Sequence, residues 1–408
     1  MRFLLLLLII ASFFSCRKPA ELKSGSWRGV ISQQGKELPF SFDVENQDGK
    51  PRVYLNNLSE KLLLDEVSIE GDSVKMVLHI FDADLRAKID GNSMTGTFYK
   101  SYAPQANLPF RATFEEPYRF VKNSTEKQEM DYSGKYQLEF KTSKDTYPSV
   151  GIFEQDGNHL TGTFLTPMGD YRYLEGNVVD GQLMLSTFDG NHSFLFVANQ
   201  SGDSLIGDYY SGKSSHETFK GIKKENAAMP SPESLTFLKE GYDKIDFSFP
   251  DVNGAIVKPS DDRFKNKVLI LQIFGTWCPN CMDETRFLSD WYTTNHDRGV
   301  EIVGLAFERK PDFTYASDRV KKMKAKMSVP YEFVIAGVND KEKAAETLPM
   351  LNTVIAFPTT IFIGKDGKVK HIHTGFEGPG TGIYYDRFKE RFNEIVNELL
   401  SEKMTSEK

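Results

Sequence analysis

The chain has 408 residues, 39% of them hydrophobic and 12% aromatic, and is longer than one compact core usually holds. Lysine and arginine total 50 against 57 aspartate and glutamate, a formal net charge of −7, so no basic excess points to nucleic acid as a partner. Three cysteines cannot build a disulfide framework. These figures predict a folded protein of two or more domains whose chemistry depends on local motifs.

The first residues have the features of an export signal. Arg2 is followed by eight apolar residues, 3–10, and the small residue Ser15 directly precedes Cys16. The apolar stretch is too short for a membrane-spanning helix, which needs roughly 20 residues. An ordinary cleaved signal followed by an incidental cysteine is one interpretation of this pattern.

The same segment resembles the signal of bacterial lipoproteins, although Phe13 stands where that pattern usually has leucine. The resemblance implies a signal peptide at 1–15, acylation of Cys16 as a lipid anchor after cleavage, and a tether at 16–23. Several acyl chains hold a protein firmly on a membrane. We therefore expect a lipid-anchored protein of the bacterial cell envelope, facing the periplasm or on the outer membrane.

From about residue 24 to residue 221 the sequence predicts short β-strands. Apolar and polar residues alternate, and no convincing helical period is found over this stretch. Asp-Gly pairs favour tight hairpin turns. They separate the alternating runs at Asp48-Gly49, Asp90-Gly91, Asp156-Gly157, Asp180-Gly181 and Asp189-Gly190. We predict an all-β antiparallel N-terminal region.

This region contains an internal repeat. Residues 24–29 resemble 132–137, and residues 91–99 resemble 202–210, with a separation of about 110 residues in both cases. The separation indicates two copies of one antiparallel unit of about seven strands.

We place the two copies at 24–120 and 131–222, with a connector at 121–130. Either each copy forms a small barrel or sandwich, or the two close into one larger barrel, and the sequence leaves both open. The simplest role for this region is a folded spacer or docking module. The alternative is capture of a ligand or partner.

A charged, proline-containing linker at 223–240 precedes a C-terminal part with a different pattern. Residues 268–274 form a near-continuous apolar run, which is typical of a strand buried on both faces. Residues 278–281 (CPNC) follow a short turn and begin a helical pattern, in which proline suits the first turn. Cys278 is therefore predicted at a helix N-terminus, where free N–H groups and the helix dipole stabilise a thiolate.

The spacing of the two cysteines predicts redox chemistry. Cys281 lies on the same helical face as Cys278 and close enough to form a disulfide. The Cys278 thiolate can attack a substrate disulfide, after which Cys281 resolves the mixed disulfide. Zinc is the alternative ligand for two cysteines at this spacing. Because Cys16 belongs to the signal, zinc would need His371 and His373, which are expected on an exposed strand, so we expect no metal.

Residues 241–402 resemble the thioredoxin-like thiol–disulfide oxidoreductases of the TlpA/ResA type. The resemblance rests on residues 246–254 (DFSFPDVNG), 274–281 (FGTWCPNC), 356–363 (AFPTTIFI) and 364–367 (GKDG). It implies an α/β thioredoxin-like domain with a central mixed sheet flanked by helices. Within it the sequence predicts strands at 300–307 and 331–335 and helices at 312–327, 340–348 and 388–400.

The resemblance also assigns residues to the active site. It implies that the peptide bond before Pro358 is cis and that this proline lies against the dithiol. The backbone beside it would hold a substrate chain in extended form. Trp277, Pro279, Phe357 and Pro358 are the residues expected to contact substrate.

Glu284 is the predicted general base. It lies three residues after Cys281, and helical side chains lean towards the N-terminus, so its carboxylate could approach the thiol. In the TlpA/ResA branch a glutamate at this offset is functional, which implies deprotonation of Cys281. Gln272 stands where thioredoxin has a buried acid, and this makes a role for Glu284 more attractive. A surface glutamate stabilised by the helix dipole is the alternative.

We therefore predict a protein disulfide reductase that acts on disulfide-containing exported proteins. No nicotinamide or flavin motif is present, so no cofactor is expected and electrons would come from a membrane donor. One alternative is a lipoprotein whose β-rich half binds a ligand or partner, with the thioredoxin fold as a redox handle. A peroxiredoxin-like peroxidase is less favoured because Thr276 lies two residues before Cys278, whereas a Thr-x-x-Cys spacing is needed.

Overall fold

The computed structural model describes residues 21–64, 66–78, 80–122 and 129–402. The predicted signal peptide, the lipid-anchor residue Cys16 and most of the predicted tether and connector lie outside the described residues. Within the described ranges, no helix combines the length and apolar character needed to cross a membrane.

The first part of the chain forms one antiparallel sheet of nine strands. Their order across the sheet is β4-β3-β2-β1-β9-β8-β7-β6-β5. The alternating sequence produces the sheet, since every second residue of β7 after Leu85 faces solvent. The strands are β1 (Gly25–Gln33), β2 (Lys36–Gln47), β3 (Lys50–Asn57), β4 (Glu60–Leu64), β5 (Val67–Glu70), β6 (Ser73–Val77), β7 (Ala83–Asp90), β8 (Ser93–Lys100) and β9 (Leu108–Phe114).

The second part forms another antiparallel sheet of nine strands, in the order β11-β10-β18-β17-β16-β15-β14-β12-β13. A further pairing of β11 with β12 closes this sheet on itself. The strands are β10 (Gly134–Lys141), β11 (Thr146–Asp156), β12 (His159–Thr166), β13 (Gly169–Asp170), β14 (Leu174–Val179), β15 (Gln182–Phe188), β16 (Ser193–Ser201), β17 (Ser204–Ser211) and β18 (Ser215–Lys223).

The two sheets share a topology that matches the sequence repeat. In each, the first strand lies between the second and the last, so β1 pairs with β2 and β9 while β10 pairs with β11 and β18. Each sheet has nine strands, more than the seven predicted, because strands as short as β5 and β13 carry too few residues to show alternation. The larger joint barrel is not formed.

Aromatic side chains fill the interior of the second sheet. Phe164 stacks on Phe196 with ring centroids 4.5 Å apart, and Phe140 stacks on Phe219 at 4.9 Å. Such pairs add to the free energy of apolar burial. The closed sheet therefore surrounds a packed aromatic core.

The two sheets pack against each other through β2 and β15. The rings of Phe40 and Phe188 lie 4.6 Å apart, and the Ser186 hydroxyl donates to the Pro39 carbonyl at 2.6 Å. All four residues are buried. The N-terminal region is therefore one continuous body of two sheets.

The C-terminal part is an α/β unit built on a five-stranded mixed sheet, in the order β23-β22-β21-β24-β25. The first three of these strands are parallel, and β24 and β25 run antiparallel. The strands are β21 (Val268–Phe274), β22 (Val300–Glu308), β23 (Glu332–Val338), β24 (Thr359–Ile363) and β25 (Val369–Thr374), preceded by a short pair, β19 (Phe249–Pro250) and β20 (Ile256–Val257).

Four helices belong to this unit: α1 (Pro279–Asn295), α2 (Phe313–Lys326), α3 (Lys341–Thr347) and α4 (Ile383–Ser401). All seven residues of β21 are buried, as the near-continuous apolar run predicts. The closing helix α4 starts five residues before the predicted start at 388, and none of residues 383–387 is buried, so no core-facing period marks this first part of the helix.

A buried arginine joins the two β sheets of the N-terminal region to helix α1. Arg172 follows β13 and is 5% exposed. Its guanidinium forms ion pairs with Glu60 of β4 and Asp283 of α1. Its Nε atom lies 3.9 Å from a carboxylate oxygen of Asp189, at the end of β15. One cation therefore neutralises charges from both β sheets and from the helix that carries the cysteines.

Two carboxylates beside Arg172, those of Asp170 and Asp189, have pKa values that are shifted in opposite directions. Burial raises the pKa of Asp170 to about 6. For Asp189, burial acts in the same direction, but the charges of His192 and Arg172 outweigh it and lower the pKa to about 2. The two pKa values differ because the charges of His192 and Arg172 outweigh the effect of burial at Asp189, whereas burial dominates at Asp170.

We predict that Arg172→Met destabilises the oxidised protein by about 3–5 kcal/mol, because it leaves buried carboxylates without their cation. Urea unfolding followed by tryptophan fluorescence measures the effect. Arg387→Met, at an exposed position of α4, is the control and should change the free energy of unfolding by less than about 0.5 kcal/mol. Equal stabilities of the two variants would contradict this prediction.

Candidate active site around Cys278 and Cys281

The cysteine pair lies where β21 ends and α1 begins. Cys278 is the N-cap residue of α1, and Pro279 occupies the first helical position. The Cys281 backbone N–H points at the Cys278 sulfur, 3.2 Å away. A buried strand, a short turn and a proline-initiated helix thus place Cys278 at the helix N-terminus, as the sequence predicts.

The two sulfurs are joined in a disulfide, with the Cα atoms 5.2 Å apart. Cys278 is 6% exposed and Cys281 is completely buried. Cys278 therefore keeps a small exposed fraction, and Cys281 has none. This asymmetry suits an attacking and a resolving thiol.

The loop before β24 lies against the disulfide. The Phe357–Pro358 peptide bond is cis. The Phe357 carbonyl oxygen lies 3.4 Å from the Cys278 sulfur. Trp277 packs edge-to-face on Phe357 with ring centroids 5.4 Å apart. The structure therefore brings the expected substrate-contact residues together around Cys278.

A buried carboxylate that the sequence reasoning missed holds the turn before the cysteines. Both the backbone N–H and the hydroxyl of Thr276 donate to Glu308, each at 2.8 Å. Glu308 is 1% exposed, and burial raises its pKa. The only signal in the sequence is an acid directly after the predicted strand 300–307.

Glu284 is completely buried and does not lie on the surface. The Thr360 hydroxyl donates to one carboxylate oxygen at 2.6 Å, and Gln272 Nε2 donates to the other at 2.8 Å. Burial outweighs these hydrogen bonds and raises the pKa of Glu284 to about 7. Gln272 Nε2 also lies 3.5 Å from the Cys281 carbonyl oxygen. Gln272 therefore connects the carboxylate to the cysteine motif.

The two histidines considered for zinc lie on β25, and one of them departs from the expected exposure. His371 is partly exposed, whereas His373 is 7% exposed because it packs against the Phe388 ring of α4, with centroids 5.1 Å apart. In the part of the chain that the structure describes, no group of three or more His, Cys, Asp or Glu side chains is arranged to hold a metal ion.

The second β sheet also reaches the cysteine motif, which the sequence did not predict. Asn191 donates a hydrogen bond to the Trp277 carbonyl at 2.9 Å, and Asn280 donates one to the Asp170 carbonyl at 2.9 Å. Both residues that flank Cys278 and Pro279 are thus bonded to the N-terminal region.

Comparison with known proteins places this geometry in a family. The Redoxin family matches residues 239–385. The thiol-disulfide oxidoreductase ResA of Bacillus subtilis (strain 168) is 30% identical over 152 residues, which cover 37% of this chain and 74% of that protein. ResA of Geobacillus kaustophilus (strain HTA426) is 28% identical over 140 residues, which cover 34% of this chain and 72% of that protein.

Among solved structures, a thiol:disulfide interchange protein of the thioredoxin family from Chlorobium tepidum TLS is similar, with 20% identity and a TM-score of 0.30, over 43% of this chain and 99% of that one. The ResA relatives confirm the resemblance stated from the motifs. The chain belongs to the ResA-type thiol–disulfide oxidoreductases, a thioredoxin-like family, and its activity is thiol–disulfide exchange.

Proposed function

We propose that Cys278 is the attacking sulfur, that Cys281 is the resolving sulfur, and that the enzyme reduces disulfides of exported proteins. The observation that carries this assignment is the difference in burial within the disulfide, because Cys278 is the more exposed of the two residues. The position of Cys278 at the N-terminus of α1 supports it, because free N–H groups there stabilise a thiolate.

The exchange proceeds in two balanced steps. The Cys278 thiolate attacks one client sulfur, and the other client sulfur leaves as a thiolate. Cys281, once deprotonated, then attacks the Cys278 sulfur and releases the client as a dithiol. The enzyme is left as the disulfide, and two electrons from a donor restore its thiols.

Trp277, Pro279, Phe357 and Pro358 are proposed to contact the client chain. Trp277 and Phe357 pack together beside the disulfide, and the Phe357 carbonyl lies 3.4 Å from the Cys278 sulfur. An extended client segment beside the cis peptide bond would bring its disulfide next to that sulfur.

Glu284 is proposed as the general base for Cys281. A pKa of about 7 allows it to accept a proton near neutral pH and to return it to solvent. Its link through Gln272 to the Cys281 carbonyl supports this role.

We further propose that the protein is exported and held in the bacterial cell envelope by a lipid on Cys16, and that a membrane protein supplies its electrons. The signal-like N-terminus of the sequence supports this location. We propose the domain units 24–120, 131–222 and 241–402, which contain the three large sheets. The alternative of a ligand-binding β half has no comparable support.

We predict that the reduced Cys281→Ser variant accumulates a mixed disulfide with a disulfide-containing peptide, because the attacking thiol is present and the resolving thiol is missing. Cys278→Ser should form no adduct, since Cys281 is buried. Mass spectrometry of the intact protein after acid quenching measures both. An adduct on Cys278→Ser alone would reverse the assigned roles.

We predict that Glu284→Gln slows resolution by on the order of 10²-fold above pH 7, because it removes the base. With dithiobis(nitrobenzoate) as oxidant, the second release of thiolate, seen by absorbance in stopped flow, reports the attack by Cys281. In the native enzyme this rate should rise as pH increases through about 7, where the carboxylate forms. The variant should lose that inflection.

Glu390→Gln is the matched control, because Glu390 is exposed on α4, away from the cysteines. It should retain both the rate and the pH profile of the native enzyme. An unchanged profile in Glu284→Gln would exclude the base role.

The direction of electron flow is tested by the reduction potential of the pair. We predict a value near or below about −250 mV, close to that of thioredoxin, because an oxidising compartment needs dedicated reductants. Equilibration in glutathione buffers, alkylation and mass spectrometry give the oxidised fraction. A potential above roughly −150 mV would instead indicate an oxidant or isomerase.

A further inference from the structure

We propose that the second β sheet filters clients: two of its turns form walls on either side of the cysteine motif and admit disulfides carried on thin, flexible chain segments. Disulfides held on a rigid folded surface would be excluded. This inference rests on the proposed attack by Cys278 and adds the class of client. The first wall is the Asn191 turn, residues 189–192, which connects β15 to β16. The second wall is the Met168 turn, residues 166–170, which runs from the last residue of β12 through β13.

The Asn191 turn forms the first wall. Asn191 is 4% exposed and donates to the Trp277 carbonyl at 2.9 Å. Its own side-chain oxygen accepts hydrogen bonds from Arg309 at 3.0 Å and from the Tyr102 hydroxyl at 3.1 Å. One amide side chain thus ties the first β sheet, the second β sheet and the residue before Cys278 together.

Hydrogen bonds to the Asp189 carboxylate hold the Asn191 turn in place. One carboxylate oxygen of Asp189 accepts from the backbone N–H groups of Asn191 at 2.9 Å and of His192 at 2.7 Å. The other oxygen lies 2.9 Å from the His192 ring. The Arg309 guanidinium covers the Tyr102 ring at 3.7 Å. A wall held by this many contacts does not yield easily to a bulky client.

The Met168 turn forms the second wall. The Asn280 side chain donates to the Asp170 carbonyl at 2.9 Å. The approach is so close that a Cβ atom on Gly169 would lie 2.8 Å from Asn280 Nδ2. The Asp170 carboxylate accepts from the Gly378 backbone N–H at 2.7 Å. The turn is therefore anchored both to the cysteine motif and to the loop after β25.

The same wall adjoins the cis-proline loop. A Cβ atom on Gly375 would lie 3.2 Å from the Gly169 nitrogen, and the Gly375 N–H donates to the Pro358 carbonyl at 3.0 Å. The two turns thus contact Trp277 and Asn280, the residues on either side of the Cys278–Pro279 pair. Next to them Cys278 is 6% exposed and Phe357 is 8% exposed.

The exposed chemistry of the rim fits an apolar polypeptide segment. Met168 is 38% exposed, and its sulfur lies 3.3 Å from the Lys341 ammonium. Methionine adapts its shape to many apolar partners. Trp277, whose carbonyl accepts the hydrogen bond from Asn191, is half-buried. Because thiol exchange depends on access to the attacked sulfur, a flexible segment can enter between these walls and a folded surface cannot.

The test uses the full-length reduced enzyme and two probes that carry the same short cysteine-containing sequence as a mixed disulfide with glutathione. One probe is the free peptide, and the other presents the sequence in a tight surface hairpin of a folded carrier protein. Release of glutathione is followed for both. The native enzyme should act on the peptide at least about tenfold faster than on the carrier.

The double variant Asn191→Ala, Met168→Gly should reduce that ratio at least about fivefold, through faster reaction with the carrier. Asn199→Ala is the control, because Asn199 is an exposed asparagine of the same sheet, on β16. It should leave the ratio unchanged.

Each remaining outcome overturns the proposal. Equal rates with both probes in the native enzyme would mean that no filter exists. A double variant in which both rates change by the same factor would mean that the two turns have only a structural role. If native enzyme released glutathione from neither probe, the proposed attack by Cys278 would fail as well, and the cysteine-variant trapping experiment would show that failure independently.

Discussion

The arrangement of this molecule depends on one buried cation. The Arg172 guanidinium comes from the second β sheet and pairs with Glu60 of the first sheet and with Asp283 of α1. Moving charges out of water is costly unless each finds its partner, so the positions of these three elements are linked. Asp283 lies two residues after Cys281, and the same ion pairs therefore set the cysteine-bearing helix against the β region. The N-terminal half is thus part of the active-site architecture.

Around the disulfide, buried carboxylates differ in the partners that neutralise them. Glu284 and Glu308 accept hydrogen bonds from the neutral groups of Thr360, Gln272 and Thr276, so desolvation dominates and their pKa values rise. Asp189 faces cations, and its pKa falls to about 2. With a pKa of about 7, Glu284 can hold a proton near neutral pH, whereas Asp189 keeps its charge. The protein therefore separates proton handling beside the cysteines from charge pairing between its parts.

Much of the C-terminal unit could be predicted because its signals are local. The apolar run of β21, the proline after Cys278 and the motif around Pro358 each act over a few residues, and the ResA relatives confirm the family that they indicate. His373 was expected on an exposed strand, but α4, which follows β25 in the chain, covers it with Phe388. The strand count of the β sheets was underestimated because β5 and β13 are too short to show a period.

By itself the sequence determined the chemistry: two cysteines at helical spacing after a buried strand, and hence thiol–disulfide exchange. Only the tertiary structure decided what surrounds Cys278. Asn191 meets Trp277 across 86 residues of sequence, and Asn280 meets Asp170 across 110. Local preferences for strands, turns and helices act over a few neighbours. Contacts between such distant segments follow from how the sheets pack, and no local pattern in the sequence records that packing.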